Sequence, residues 1–399
     1  MEWDGEMNAT PQLTTPSGKR RARPLGIPLA GIPGSWSAIT DVPGVEVGYV
    51  TLVEGSDVRT GITAIHPRGS ANPGDPLAAG VHSQNGNGEM TGVSWIGESG
   101  TMSGPICITN THSVGVAHAG IVAWTAARHP ELVEAWLLPV AAETWDGYLN
   151  DINGHHVTEE TVVAALDAAS SGPIDEGSVG GGTGMNCYSF KGGSGTASRV
   201  VDYAGSRYTV GVFLQANFGS RRELVIAGVP VGSDLAEDDP IAAFFSTPPG
   251  AGSCIGVVLT DAPLLPDQCR ALARRVALGM ARTGTTGSHF SGDLFLAGSV
   301  ANPQGITPGF RTRYPEAAGR YDQLRFVPWG FIDAFYEAVV HATEEAVMNC
   351  LVANDEMVGF RGRRSPALPV ERLTTILRER GLLRDEKGGQ DKRSVTDEG

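Results

Sequence analysis

Ser253 has the sequence surroundings that chemistry would require. It stands in Thr247-Pro248-Pro249-Gly250-Ala251-Gly252-Ser253-Cys254-Ile255-Gly256-Val257-Val258-Leu259-Thr260-Asp261. There a flexible Pro/Gly loop stops and an apolar run begins that suits a strand buried on both faces. A Gly-Ser dipeptide by itself reads as an ordinary turn. A polar residue at the mouth of a core strand supports a second reading, self-cleavage between Gly252 and Ser253. A serine exposed in this way as a new N-terminus carries its own base, because an α-amino group titrates near roughly 7.7 to 8.0 and is partly unprotonated at neutral pH. Such a nucleophile needs no Ser/His/Asp arrangement.

Other catalytic patterns are missing. No serine sits in G-x-S-x-G, and no GxxxxGK[ST], GxGxxG or HExxH occurs. The cluster Gly180 to Gly184 lacks the third fingerprint glycine, Met185 standing in its place, so it reads as a turn or a close-packing site. His155 and His156 are adjacent in a polar loop and receive no catalytic role. His112, in Asn110-Thr111-His112-Ser113, is a conceivable base for a nearby serine but reads first as a structural histidine. The five cysteines (107, 187, 254, 269 and 350) form no CxxC pair, which points to a reducing, cytoplasmic setting and to neither a disulfide framework nor a metal site.

The elements that must position Ser253 are legible as short runs between Gly, Pro and Asn clusters. Strands are predicted at Gly44 to Leu52, Gly61 to His66, Pro105 to Thr109 and Tyr208 to Gln215. Apolar spacing of three and four predicts helices at Val114 to Arg128, Glu159 to Ala169 and Pro266 to Arg282. The longest is predicted at Phe331 to Leu351, with Phe331, Phe335, Val339, Ala342, Ala346 and Cys350 forming a core-facing stripe. Without strict βαβ alternation this mixture favours an α+β layered domain. Residues 1–23 and 384–399 are polar and read as loose tails around one domain, 24–383, the basic run Lys19 to Arg23 being a solvated part of the first. A formal charge of −14 argues against nucleic acid or anionic lipid as partner, and no stretch of apolar residues is long enough for a membrane span.

Several segments, in order, resemble the DmpA-type family of L-aminopeptidase/D-esterases and β-peptidyl aminopeptidases, which are N-terminal-nucleophile hydrolases. They are Ile39-Thr40-Asp41-Val42-Pro43-Gly44-Val45, Asn85-Gly86-Asn87-Gly88-Glu89-Met90-Thr91-Gly92 and Gly104 to Gly115. Further on come Glu143-Thr144-Trp145-Asp146-Gly147-Tyr148-Leu149-Asn150-Asp151, Gly180 to Met185, Gln215-Ala216-Asn217-Phe218-Gly219 and Thr260-Asp261-Ala262-Pro263-Leu264-Leu265. The resemblance runs from about Arg23 to about Leu383.

It implies a four-layer αββα sandwich, shared with ornithine acetyltransferases, and self-cleavage into an α chain (1–252) and a β chain (253–399) that stay associated. It further implies release of N-terminal residues from small peptides, amides or esters with a free amine. On that basis Ser253 is the nucleophile, Asn217 the oxyanion donor, and Ser291 and Asp293 the pair that contacts and orients the nucleophile. Side chains two apart in an extended segment face the same way, so both members of Ser291-Gly292-Asp293 can enter one pocket. The resemblance places recognition of the substrate ammonium near Glu143, with Tyr148 or Trp145 as the accompanying aromatic. It implies no cofactor, no metal, and a homo-oligomer of four processed protomers. The alternative is acyl transfer of the ornithine acetyltransferase type, ranked lower because the nucleophile of those enzymes is a threonine. A non-catalytic binding protein of the same fold is ranked lower too, because Ser253, Asn217, Ser291 and Asp293 occur together.

Overall fold

The computed structural model describes residues 13–134, 136–245, 252–307 and 319–383. In chain order its strands are β1 (Glu46–Glu54), β2 (Val58–His66), β3 (Leu77–Gly86), β4 (Thr101–Met102), β5 (Ile106–Asn110) and β6 (Val140–Thr144). They continue with the small hairpin β7 (Asn186–Cys187) and β8 (Phe190–Lys191), then β9 (Gly193–Tyr203), β10 (Ser206–Asn217), β11 (Ser253–Thr260), β12 (Gly292–Ser299), β13 (Met357–Val358) and β14 (Arg364–Ser365). The helices are α1 (Val93–Ser99), α2 (Val114–Arg128), α3 (Glu159–Asp167), α4 (Pro240–Phe244), α5 (Pro266–Arg282), α6 (Asp333–Val352) and α7 (Val370–Glu379).

Two sheets carry the architecture. One runs β1-β2-β5-β6 and the other β4-β3-β12-β11-β10-β9. Their neighbours are antiparallel except β5 with β6 and β11 with β12. Alternation along β11 explains the stacking. Ile255, Val257 and Leu259 point between the sheets toward Ile65, Ile106 and Ile108, while Cys254 and Val258 point outward to Leu272 and Val276 of α5 and Val339 of α6. On the far side Ile121 and Trp124 of α2 and Val162 and Leu166 of α3 cover Ile62, Ala64 and Cys107. The layers are therefore helix, sheet, sheet, helix, the αββα order that the sequence resemblance implies.

Helices α2 and α5 coincide with their predicted spans, α5 opening on Pro266, where a missing N–H costs nothing. The strand predicted after Gly252 is buried at all eight positions. Two expectations change. Phe331 does not join the α6 stripe: it ends a 3-10 turn that follows Pro328, is 63% exposed, and meets Tyr203 at the surface. Residues 13–23 are not a loose tail. Arg21 is 3% exposed and ion-paired with Glu176 at 2.6 Å, Ala22 is fully buried, and Arg23 pairs with Glu345. A buried guanidinium with a carboxylate and three backbone carbonyls as partners forms part of the core rather than a solvated face. Residues 1–12 and 384–399 of the expected tails, and the loop 246–251, lie outside the described residues.

Candidate active site

Ser253 opens β11, and sheet register decides what surrounds it. Across the antiparallel pair it faces Asn217, the last residue of β10, and across the parallel pair it faces Gly292, the first residue of β12. Gly252 enters the strand so closely that a Cβ there would lie 2.3 Å from the Asn217 carbonyl oxygen. Glycine is thus required by close backbone approach. Its own carbonyl accepts a hydrogen bond from Gly292 N–H at 3.0 Å.

Two donors converge on the Ser253 hydroxyl oxygen, the backbone N–H of Trp145 at 3.2 Å and Nδ2 of Asn217 at 3.5 Å. The Asn217 amide is fixed at both ends, since its Oδ1 accepts from Asn186 N–H at 2.8 Å and its Nδ2 also donates to the Trp145 carbonyl at 2.9 Å. A carbonyl oxygen bound beside such a pre-oriented pair of N–H groups gains negative charge at low cost. Just before β12 the Ser291 hydroxyl donates to Asp293 Oδ1 at 2.7 Å, and Asn85 Nδ2 donates to Asp293 Oδ2 at 2.9 Å. Burial pushes the Asp293 carboxyl above the usual range, with those two hydrogen bonds opposing the shift.

Glu143 lies near the end of β6, two residues before Trp145, and is 2% exposed. Its Oε1 accepts from Glu89 N–H at 2.8 Å, and its Oε2 accepts from the Thr111 hydroxyl. Burial raises its pKa and these hydrogen bonds lower it. The segment 85–89 threads between this carboxylate and β12: a Cβ on Gly88 would sit 3.2 Å from Glu143 Oε1 and 3.1 Å from Gly292 Cα. Glu143, Trp145, Asn217, Ser253, Ser291 and Asp293 therefore gather at the ends of β6, β10, β11 and β12.

The two aromatic candidates separate. Trp145 touches Ser253 through its backbone and keeps 36% of its surface exposed. Tyr148 is buried, spends its hydroxyl on the Arg364 carbonyl at 3.0 Å, and packs with Phe244 and Phe245. His112 caps locally, its N–H donating to Asn110 Oδ1. Three contributors went unremarked in the sequence. Asn85 and Thr111 stood within conspicuous motifs, whereas the Trp145 N–H left no signal, because every residue but proline carries one.

Residues 37–365 match the model of peptidase family S58. The chain is 47% identical over 377 residues, 90% of its length and 92% of the relative's, to beta-peptidyl aminopeptidase BapA of Sphingosinicella microcystinivorans. Among solved structures it is similar to the l-aminopeptidase d-ala-esterase/amidase of Ochrobactrum anthropi, described as a prototype for the serine aminopeptidases and a variant of the Ntn hydrolase fold. That similarity has a TM-score of 0.84 and 43% identity over 91% of this chain and 99% of that one. A Burkholderia sp. beta-aminopeptidase gives a TM-score of 0.82 and 44% identity over 92% of this chain and 100% of that one.

Proposed function

The chain belongs to peptidase family S58 and is an aminopeptidase, and from that premise we propose how its residues act. The reading is carried by one observation, the convergence of Asn217 Nδ2 and Trp145 N–H on the Ser253 hydroxyl at the point where Gly252 enters β11.

In maturation the Ser253 hydroxyl attacks the Gly252 carbonyl carbon. The C–N bond breaks, the hydroxyl proton passes to the nitrogen, which becomes a free amine, and an ester joins Gly252 to Ser253 Oγ. Water then cleaves that ester to a Gly252 carboxylate and a free hydroxyl. In turnover the new amine takes the hydroxyl proton while Oγ attacks the substrate carbonyl, and Asn217 Nδ2 with Trp145 N–H holds the oxyanion. The proton passes to the leaving amine, and water releases the acyl group. Glu143 pairs with the substrate ammonium, Trp145 walls the mouth, and Ser291 with Asp293 orients the nucleophile. Substrates are small peptides, amides or esters with a free N-terminal amine, and the similarity to beta-peptidyl aminopeptidases supports β-residues among them. The acyltransferase alternative is not favoured, because the family and its relatives are peptidases. The resemblance extends the reading to a cytoplasmic homo-oligomer of processed protomers; five unpaired, buried cysteines suit that setting.

Mass spectrometry of purified protein tests the cleavage: fragments 1–252 and 253–399 are expected, with Ser253→Ala remaining one chain. Amino-acyl anilides should be hydrolysed far faster than their N-acetylated counterparts. An active, uncut wild-type enzyme would sink the mechanism.

A further inference from the structure

The motif Asn85-Gly86-Asn87-Gly88-Glu89 is conspicuous in the sequence, and the reaction just described leaves its first residue without a task. In the structure Asn85 Nδ2 makes two donations, to Asp293 Oδ2 at 2.9 Å and to the Ser288 carbonyl at 3.1 Å. It therefore ties both sides of the turn that carries Ser291. The β3–β12 ladder adds an independent observation. Its register runs Gly292 opposite Gly86, Asp293 opposite Asn85, and then Leu294 opposite Ser83, so one extra residue, Gln84, is accommodated at this point. Continued without that irregularity from Leu294 and Ser83, the ladder would set Gln84 opposite Asp293. The bulge brings Asn85 there instead, and directly opposed residues of an antiparallel pair share a face.

We propose that Asn85 is a positioning residue for catalysis: by holding Asp293 Oδ2 and the Ser288 carbonyl, it leaves Oδ1 free to orient the Ser291 hydroxyl beside Ser253. This inference rests on the reading of the Ser253 site above. Asp293 is surrounded by few titratable groups. Cys254 on β11 stays a thiol because burial pushes its ionisation far up, and Glu143 lies beyond Gly88. The Ser253 amine joins them after cleavage. Burial already raises the Asp293 pKa, and the Asn85 hydrogen bond opposes that rise. Losing the bond therefore makes Asp293 protonate at higher pH.

The test uses the full-length enzyme with Asn85→Leu, which removes both donations at nearly constant size, and Asn85→Asp, which keeps the shape and sets an acceptor against Asp293. Should the leucine variant fail to fold, the aspartate variant carries the test alone. On an amino-acyl anilide, kcat is expected to fall roughly 10-fold to 100-fold, with KM little changed because Glu143 and its donors are untouched. The acid limb of the kcat profile should move to higher pH, further in Asn85→Asp, where two carboxylates face each other. In an Asp293→Asn background Asn85→Leu should cost far less than it does alone, the Ser288 hydrogen bond being what remains to lose. A folded variant with the wild-type pH profile, or losses that add in the double variant, overturns the proposal. Ser253→Ala assayed alongside keeps the two readings apart. If Ser253→Ala stays active, the site reading itself fails; if it is inert while Asn85→Leu behaves as wild type, only the positioning role fails.

Discussion

Burial sets the working range of Glu143. Its raised pKa means that the charged form, which the proposed pairing with a substrate ammonium needs, exists above that pKa and is lost as pH falls through it. KM for an amino-acyl anilide is therefore expected to climb on acidification at a higher pH than an ordinary glutamate near ~4.3 would cause. In Glu143→Gln that climb should vanish while self-cleavage persists, and initial rates between pH 4 and 8 decide the matter. In the proposed mechanism Asn217 acts on the other half of the substrate. Asn217→Ala leaves Trp145 N–H as the remaining observed donor to the Ser253 hydroxyl, and kcat should drop by about 10²-fold to 10³-fold, read by steady-state kinetics on processed enzyme. At this scale the sequence was legible wherever chemistry resides in a side chain whose type is unusual for its place, as for Ser253 after Gly252. It was illegible for a backbone donor. It also left Tyr148 and Trp145 undivided, since only the fold shows that Tyr148 spends its hydroxyl on Arg364.

At the level of elements, the site depends on how tightly the start of β11 fits the end of β10. A side chain at 252 meets the Asn217 carbonyl and Phe218 Cα, both backbone, so the strand ends must part. Gly252→Val is therefore expected to slow self-cleavage by roughly 100-fold, the cost of displacing reacting groups by about an ångström; a timed series of denaturing gels checks this. Helices α2 and α5 and strand β11 were readable from periodicity because their partners are neighbouring layers with one buried face each. The register that pairs Asn217 with Ser253 was not, because nothing local in Gln215-Ala216-Asn217 states which strand it will meet. Residues 13–23 were misread for a related reason. The Glu176 that buries Arg21 is 155 positions away, and a run of basic residues looks solvated until its counter-charges are located.

Across the whole molecule, Arg21 fastens the N-terminal segment to the core, reaching Glu176 together with the carbonyls of Trp36, Ser37 and Thr196. Arg21→Met strands a buried carboxylate and should cost about 3–5 kcal/mol of stability, measured by denaturant unfolding. Glu176 is raised by its burial, and Arg21 opposes the shift. The variant's deficit should therefore be largest at high pH and shrink as pH falls and the carboxyl protonates. A Glu176→Gln second change should recover part of it. The order of the larger sheet, β4-β3-β12-β11-β10-β9, has a different consequence. Strands β11 and β12 belong to the segment after residue 252, while β3 and β4 on one flank and β9 and β10 on the other belong to the segment before it. If the bond before Ser253 opens as proposed, the shorter polypeptide is clasped between two arms of the longer one. Unfolding then yields two molecules that must find each other again, so recovery follows mass action and fades on dilution. Each copy would pass through the uncut state only once, and heat or denaturant would erase what a single chain had assembled.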